Sequence, residues 1–240
     1  MDAALLESLA RRLSDALHLS VAPVAIAFGE TAPAGVEPFG EPVPPAAADG
    51  RTGRVPAGCV FWMRAVDGSF TTVPEDHRNC SVGSLTHGMV DMDEAARMDD
   101  VAQLMASGWV TGEMVPAIPT VRERPAYVSY GPLTDAAFDP DVVLLRVNGR
   151  QMMVLSDAVG GMSIEGKPQC HIVAVAKEEG QVVGSVGCAL SRVRTGMSPE
   201  EMTAALPAAR LEEIVESVER TAAVDGKVAR YAASDSRRFD

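Results

Sequence analysis

Val142-Val143-Leu144-Leu145-Arg146-Val147 is the clearest buried strand of this chain, a run of valine and leucine broken by one polar residue. Asn148 ends it, and residues 149–158 then take up the apolar spacing of a helix. A strand passing into a helix recurs outward from here in both directions. Upstream, residues 21–28 form a second apolar run closed by Gly29, preceded by a helix over residues 3–18 with Leu5, Leu6, Leu9, Leu13 and Leu17 on one side. Residues 69–73 and 127–130 read as strands, and a helical pattern runs from Met92 until Gly108 stops it. Downstream, residues 172–176 and 182–186 read as strands, and residues 199–205 and 211–224 as helices. No all-α or all-β block appears, so the fold class is α/β, with α+β as the variant.

The 240 residues are 47% hydrophobic and 22% charged, enough for one or two packed cores. The formal net charge of −12 argues against nucleic acid, because phosphate-backbone affinity comes from clustered cations. The longest apolar runs are far short of the roughly 18 to 20 residues that span a bilayer, so no membrane partner is expected. The amino terminus carries Asp2 and Glu7 before Arg11-Arg12 and no apolar stretch with a cleavage site, which predicts a cytoplasmic protein. Residues 29–57 are rich in proline and glycine and read as a long loop, a candidate lid.

A shift of 108 positions lays Cys80 on Cys188, Gly88 on Gly196, Met89 on Met197, Asp93 on Glu201 and Ala96 on Ala204. With a small gap Cys59 meets Cys170, and the strand before each lies at residues 24–28 and 142–147. The expected organisation is therefore an N-terminal helix (1–20), a first α/β lobe (21–110), a linker (111–139) and a second α/β lobe (140–240). Two pseudo-repeated lobes packed into one unit would bring equivalent cysteines toward a shared axis, with a cysteine site between them.

Cys59, Cys80, Cys170 and Cys188 are spaced by 21, 90 and 18 residues, and no Cys-x-x-Cys pair exists. A zinc ribbon, a thioredoxin-type site and a local ferredoxin loop are thus unsupported. Dispersed ligands converge only in a completed fold, and in a reducing compartment free thiols point to metal or reactivity more than to disulfides. Thiolates select zinc, copper(I) or iron–sulfur, and four of them satisfy a [4Fe–4S] cube. Cys80 and Cys188 stand beside small residues, which let backbone amides approach sulfur.

His77 and His87 flank Cys80 and are candidate proton-transfer groups or ligands. Arg192, close after Cys188, is a candidate for holding a carboxylate; Arg78 is an even choice between that and solvated surface. His18 reads as a partner of its helix C-terminus, and His171 should face away from Cys170 if that run is a strand. No Gly-x-Gly-x-x-Gly, Walker A, Gly-x-Ser-x-Gly or His-Glu-x-x-His pattern is present.

Five stretches occur in fixed order: Cys59-Val60-Phe61-Trp62, residues 75–88 with Asp76-His77-Arg78-Asn79-Cys80 and Thr86-His87-Gly88, residues 140–144, Gly166-Lys167-Pro168-Gln169-Cys170 and Gly187-Cys188 with Arg192. From Pro23 to about Tyr231 the chain resembles the domain of unknown function 169 family of archaea and bacteria. That family carries cysteines at these four positions, the Asp-His-x-Asn-Cys and Thr-His-Gly elements, and a final Gly-Cys with a nearby arginine. The chain departs from it at Ser81, where the family has proline, and at Leu190-Ser191, where it has Gly-Asn. The resemblance implies no activity; it groups the four cysteines with His77 and His87.

Together these features predict a cytoplasmic [4Fe–4S] protein acting in redox or Lewis-acid chemistry on a small molecule, with a small-molecule substrate or a redox partner protein and with a homo-oligomer allowed. A lyase or oxidoreductase activity is the enzymatic form of that expectation. Two alternatives stay open: a non-catalytic carrier of zinc, copper(I) or haem, and an enzyme with a cysteine nucleophile paired with His77.

Overall fold

A computed structural model describes residues 1–40, 58–165 and 168–235. Strands β1 (Val24–Gly29), β2 (Phe70–Thr72), β3 (Tyr127–Pro132), β4 (Val142–Val147), β5 (Ser163–Glu165), β6 (Val183–Ser185) and β7 (Met202–Pro207) form one sheet in the order β2-β3-β1-β4-β7-β6-β5. β5 and β6 are parallel and the other neighbours antiparallel, so the sheet is mixed. The class is mixed α/β, and the strand that decided it lies at the centre, between β1 and β7.

Side chains alternate across a strand, and β4 uses both faces. Val143, Leu145 and Val147 join Ala25, Ala204 and Leu206 beneath helices α1 (Ala3–Leu17), α6 (Gly149–Val159) and α9 (Leu211–Asp235). Val142 and Leu144 join Val24, Ile26 and Ala205 on the opposite face, where α2 (Gly58–Arg64), α3 (Ser81–Thr86) and α7 (His171–Glu179) pack. On this second side also lies α8 (Ala189–Thr195), packed against α2. The chain between α3 and β3 carries the short helices α4 (Met92–Ala96) and α5 (Val101–Ala106).

The two outer ladders have matching starts. Val24 pairs with Pro132 and Val142 with Pro207, and one step further out Thr72 pairs with Val128 and Ser185 with Thr203. The Leu133 N–H donates to the Pro23 carbonyl at 2.8 Å, and the Ala208 N–H to the Asp141 carbonyl at 2.9 Å. β3 comes from residues 111–139, the segment expected as a linker, and is hydrogen-bonded between β1 and β2.

Two expected elements are corrected. Residues 172–176 form part of helix α7, not a strand: Ile172, Val173, Ala174 and Ala176 are all essentially buried, so a helix apolar on every side offered no period to separate it from a strand. Residues 199–205 are not a helix but lead into β7, whose helix-favouring alanines are held extended by β4 on one side and β6 on the other. The 108-residue shift consequently relates Ala96 in a helix to Ala204 in a strand. Between Cys80 and Met89, Gly88 and Gly196 both adopt positive φ, and Met89 and Met197 are both buried.

Candidate functional site

All four cysteines occur at the start of a helix. Cys59 is the second residue of α2, and Cys170 immediately precedes α7. Cys80 and Cys188 are the N-caps of α3 and α8, in the place where serine or aspartate usually accepts a backbone bond. Each sulfur does the same here: Cys80 Sγ accepts from the Gly83 N–H and Cys188 Sγ from the Ser191 N–H, both at 3.4 Å.

The four thiols line one cavity of about 20 Å³ with Gly58, Gly83, Trp109, Gln169 and Arg194. Burial, then the Cys80 sulfur, pushes the Cys59 thiol up to about 12, against an opposing hydrogen bond from Ser191. Burial also raises Cys80, with Arg194 and the Gly83 N–H pulling it down. Cys170 is raised well above the ordinary thiol range by burial and by Cys80, and a hydrogen bond with Thr86 opposes this. These three thiols are protonated at neutral pH, the reverse of an activated nucleophile. Among the described residues no group of three or more His, Cys, Asp or Glu side chains that could hold a metal ion is found.

Arg194 is the cavity's cation. Burial works against its charge, yet attraction to Cys80, the hydrogen bond it donates to the Cys80 sulfur, and attraction to Cys59 leave it above its ordinary value. One of its nitrogens, Nη1, is buried without a hydrogen-bond partner. Sequence reasoning chose Arg192 instead, and the structure gives that residue a different task. Its guanidinium donates to the backbone carbonyls of Val186, Ser198 and Glu201, tying the loop before α8 to the entry of β7. Arg78 pairs with Glu75 on the surface.

His77 and His87 lie behind the cysteine helices, fully buried, with ring centroids 5.7 Å apart. The Thr72 hydroxyl donates to the Val128 carbonyl at 2.9 Å, so its oxygen accepts from His77 Nε2–H, also at 2.9 Å, and Nδ1 is left as a bare acceptor. His87 Nδ1 lies 2.9 Å from the Gly83 carbonyl, which can only accept, so its Nε2 is the bare nitrogen. Burial lowers His77 well below the usual imidazole range, and His87 to about 4. Both rings are therefore neutral at pH 7. A Cβ on Gly58, the neighbour of Cys59, would meet His87 Cε1 at 3.0 Å, so this glycine lets α2 rest on the ring.

The cavity shares Trp109 and Pro168 with a larger groove of about 510 Å³, and Val82 with an apolar groove of about 270 Å³. His171 faces the larger groove rather than the thiols. Of the loop expected as a lid, residues 41–57 lie outside the described residues; before them Phe39 packs edge-on against Phe61. Arg194, Ser191, Thr86 and Trp109 were not legible as site residues. Arg194 reaches the thiols only because its helix begins at Cys188, and Trp109 belongs to a segment with no motif of its own.

Among the described residues no helix is long and apolar enough to cross a membrane. No curated protein and no solved structure matches the chain. A family model described as uncharacterised ArCR, the domain of unknown function 169, matches residues 12–217, and the chain belongs to that family.

Proposed function

We propose that Cys59, Cys80, Cys170 and Cys188 hold a [4Fe–4S] cluster and that the protein uses it on a small molecule bound beside it. The observation that carries this reading is that four thiols, dispersed over 130 positions of sequence, line a single cavity. The donor set fits: four sulfurs, two of them accepting backbone N–H bonds, with one arginine to offset the charge of a thiolate-rich centre. A cluster takes one thiolate per iron, so its ligands need not crowd round a point as those of a single ion must. When bound, such a cluster supplies electron transfer or, with one iron open, a Lewis acid.

The residues present have definite parts in this reading. Arg194 balances charge beside Cys80 and Cys59. Thr86 and the Gly83 and Ser191 amides orient sulfur, and His77 and His87 hold neutral imidazoles behind α2 and α3, each with one bare acceptor nitrogen. Protonated, buried thiols must lose protons as metal arrives, so loading becomes easier as pH rises. The thiols enclose only about 20 Å³, room for roughly one water, so loading also draws the helix starts apart.

The same reading extends to the halves of the chain as a duplicated unit, strand, cysteine helix, strand, cysteine helix, strand. Its support is the matching ladders of β2-β3-β1 and β6-β7-β4 and the paired capping of Cys80 and Cys188. Anaerobic purification followed by iron and acid-labile sulfide analysis tests the function. About four of each per chain, with a broad absorption shoulder near roughly 400 nm, is expected. A colourless protein that stays iron-free after incubation with ferrous iron and sulfide would overturn it; a zinc content of one would favour the carrier reading.

A further inference from the structure

We propose that the 510 Å³ groove beside the cysteine cavity is a binding site for a small organic amine in its cationic form, with His171 as its hydrogen-bond acceptor. The inference does not depend on what the four thiols hold.

His171 is the first residue of α7 and is only 9% exposed, yet its Nε2 is buried without a hydrogen-bond partner, and the side chain lines the groove. Leaving a buried polar nitrogen unmatched is costly, and a ligand donor would recover that cost. A neutral imidazole has one nitrogen to offer as an acceptor. A ligand carrying N–H donors matches it.

The rest of the lining decides the charge. Glu165 at the end of edge strand β5 and Glu179 at the end of α7 supply two carboxylates, and Ser163 and Gln181 supply neutral polar groups. No lysine or arginine is among the described residues that line it. Trp109 forms an aromatic wall, a surface that attracts a cation over its face. Among the described residues that line it, an anion would meet only negative charge. Because Trp109 and Pro168 also line the cysteine cavity, a molecule in the groove lies against the wall of the thiol site, where a reacting substrate belongs.

The test compares phenethylamine with 3-phenylpropionate, two probes of similar size and opposite charge. Binding to the full chain as purified is followed by calorimetry and by tryptophan fluorescence, with W109F to assign the signal. Phenethylammonium is expected to bind at least tenfold more tightly than the carboxylate. H171A should weaken it on the order of tenfold, and E165Q about threefold. E75Q, on the surface elsewhere, should leave it unchanged. Should H171A fail to fold, as judged by circular dichroism, E165Q and the charge preference still decide. Equal or tighter binding of the carboxylate, no binding of either probe, or an affinity indifferent to both groove variants would overturn the proposal. A protein without iron that still prefers phenethylammonium would refute the cluster and leave this site standing.

Discussion

Replacing Gly88 with alanine tests how the turn behind the cysteine helices is built. Gly88 closes α3 at φ +70, and a Cβ there would lie 2.8 Å from the Val121 carbonyl oxygen, 3.3 Å from Val121 Cβ and 3.4 Å from Pro125 Cδ. The obstructing atom is backbone, pinned by the Val121 N–H donating to the Thr86 carbonyl at 3.0 Å, so it cannot swing aside as a side chain would. The left-handed conformation costs a non-glycine residue about 1 kcal/mol, and the forced contact adds about 1 to 3 kcal/mol. Gly180 supplies the control: its φ is +63, but nothing lies within 4 Å of the added Cβ. G88A should therefore lose about 2 to 4 kcal/mol and G180A about 1 kcal/mol. For a chain of this length that is a fall in Tm of roughly 5 to 15 °C against roughly 2 to 4 °C. Urea unfolding at pH 7 measures both, with an unchanged m-value as the sign that the denatured state is the same. Equal losses for the two variants would refute the reasoning, because the Val121 contact would then contribute nothing.

Single alanine variants at Cys59, Cys80, Cys170 and Cys188 should each lower iron and sulfide content severalfold while the far-ultraviolet circular dichroism stays native; full loading of any of them removes that residue from the ligand set. Arg192 and Arg194 should separate: R192A, stripped of three carbonyl bonds, loses about 2 kcal/mol of stability and keeps its metal, whereas R194M keeps stability and loads less metal. His87 is neutral when folded down to about pH 4, while the unfolded chain takes up its proton below about 6.5. Stability therefore falls as pH drops from 6.5 to 4, by about 3 kcal/mol for this residue, and His77 adds in the same direction. Urea midpoints at pH 7, 6 and 5 should decline, less so in H87Q; a flat profile contradicts the buried neutral ring. Arg146 and Glu201 form a largely buried two-point ion pair between β4 and the start of β7, so E201Q should destabilise by about 1 to 3 kcal/mol in chemical denaturation.

The cysteines illustrate how unevenly the site could be read. Their number, their dispersal and their small neighbours singled them out, because those are properties of residue type and order. Arg192 and Arg194 differ by two positions on one short helix, and no pattern in the sequence says which guanidinium turns to the thiols and which to the carbonyls of the following strand. His171 was judged through a strand that does not exist; on a helix it turns to the groove, where its burial and its missing partner became visible.

By itself the sequence determined what local chemistry dictates: the strand at Val142–Val147, the amphipathic helix at Ala3–Leu17, the long helix from Leu211, the mixed α/β class and the family. These follow from the spacing of apolar side chains and from ordered motifs, both readable over a few residues. Only the tertiary structure decided that residues 172–176 coil and that Met202–Pro207 extends, since the first is buried on all sides and the second is paired on both. It alone gathered four thiols, Arg194 and Trp109 around one cavity, because that meeting depends on one face of a sheet carrying helices drawn from distant parts of the chain.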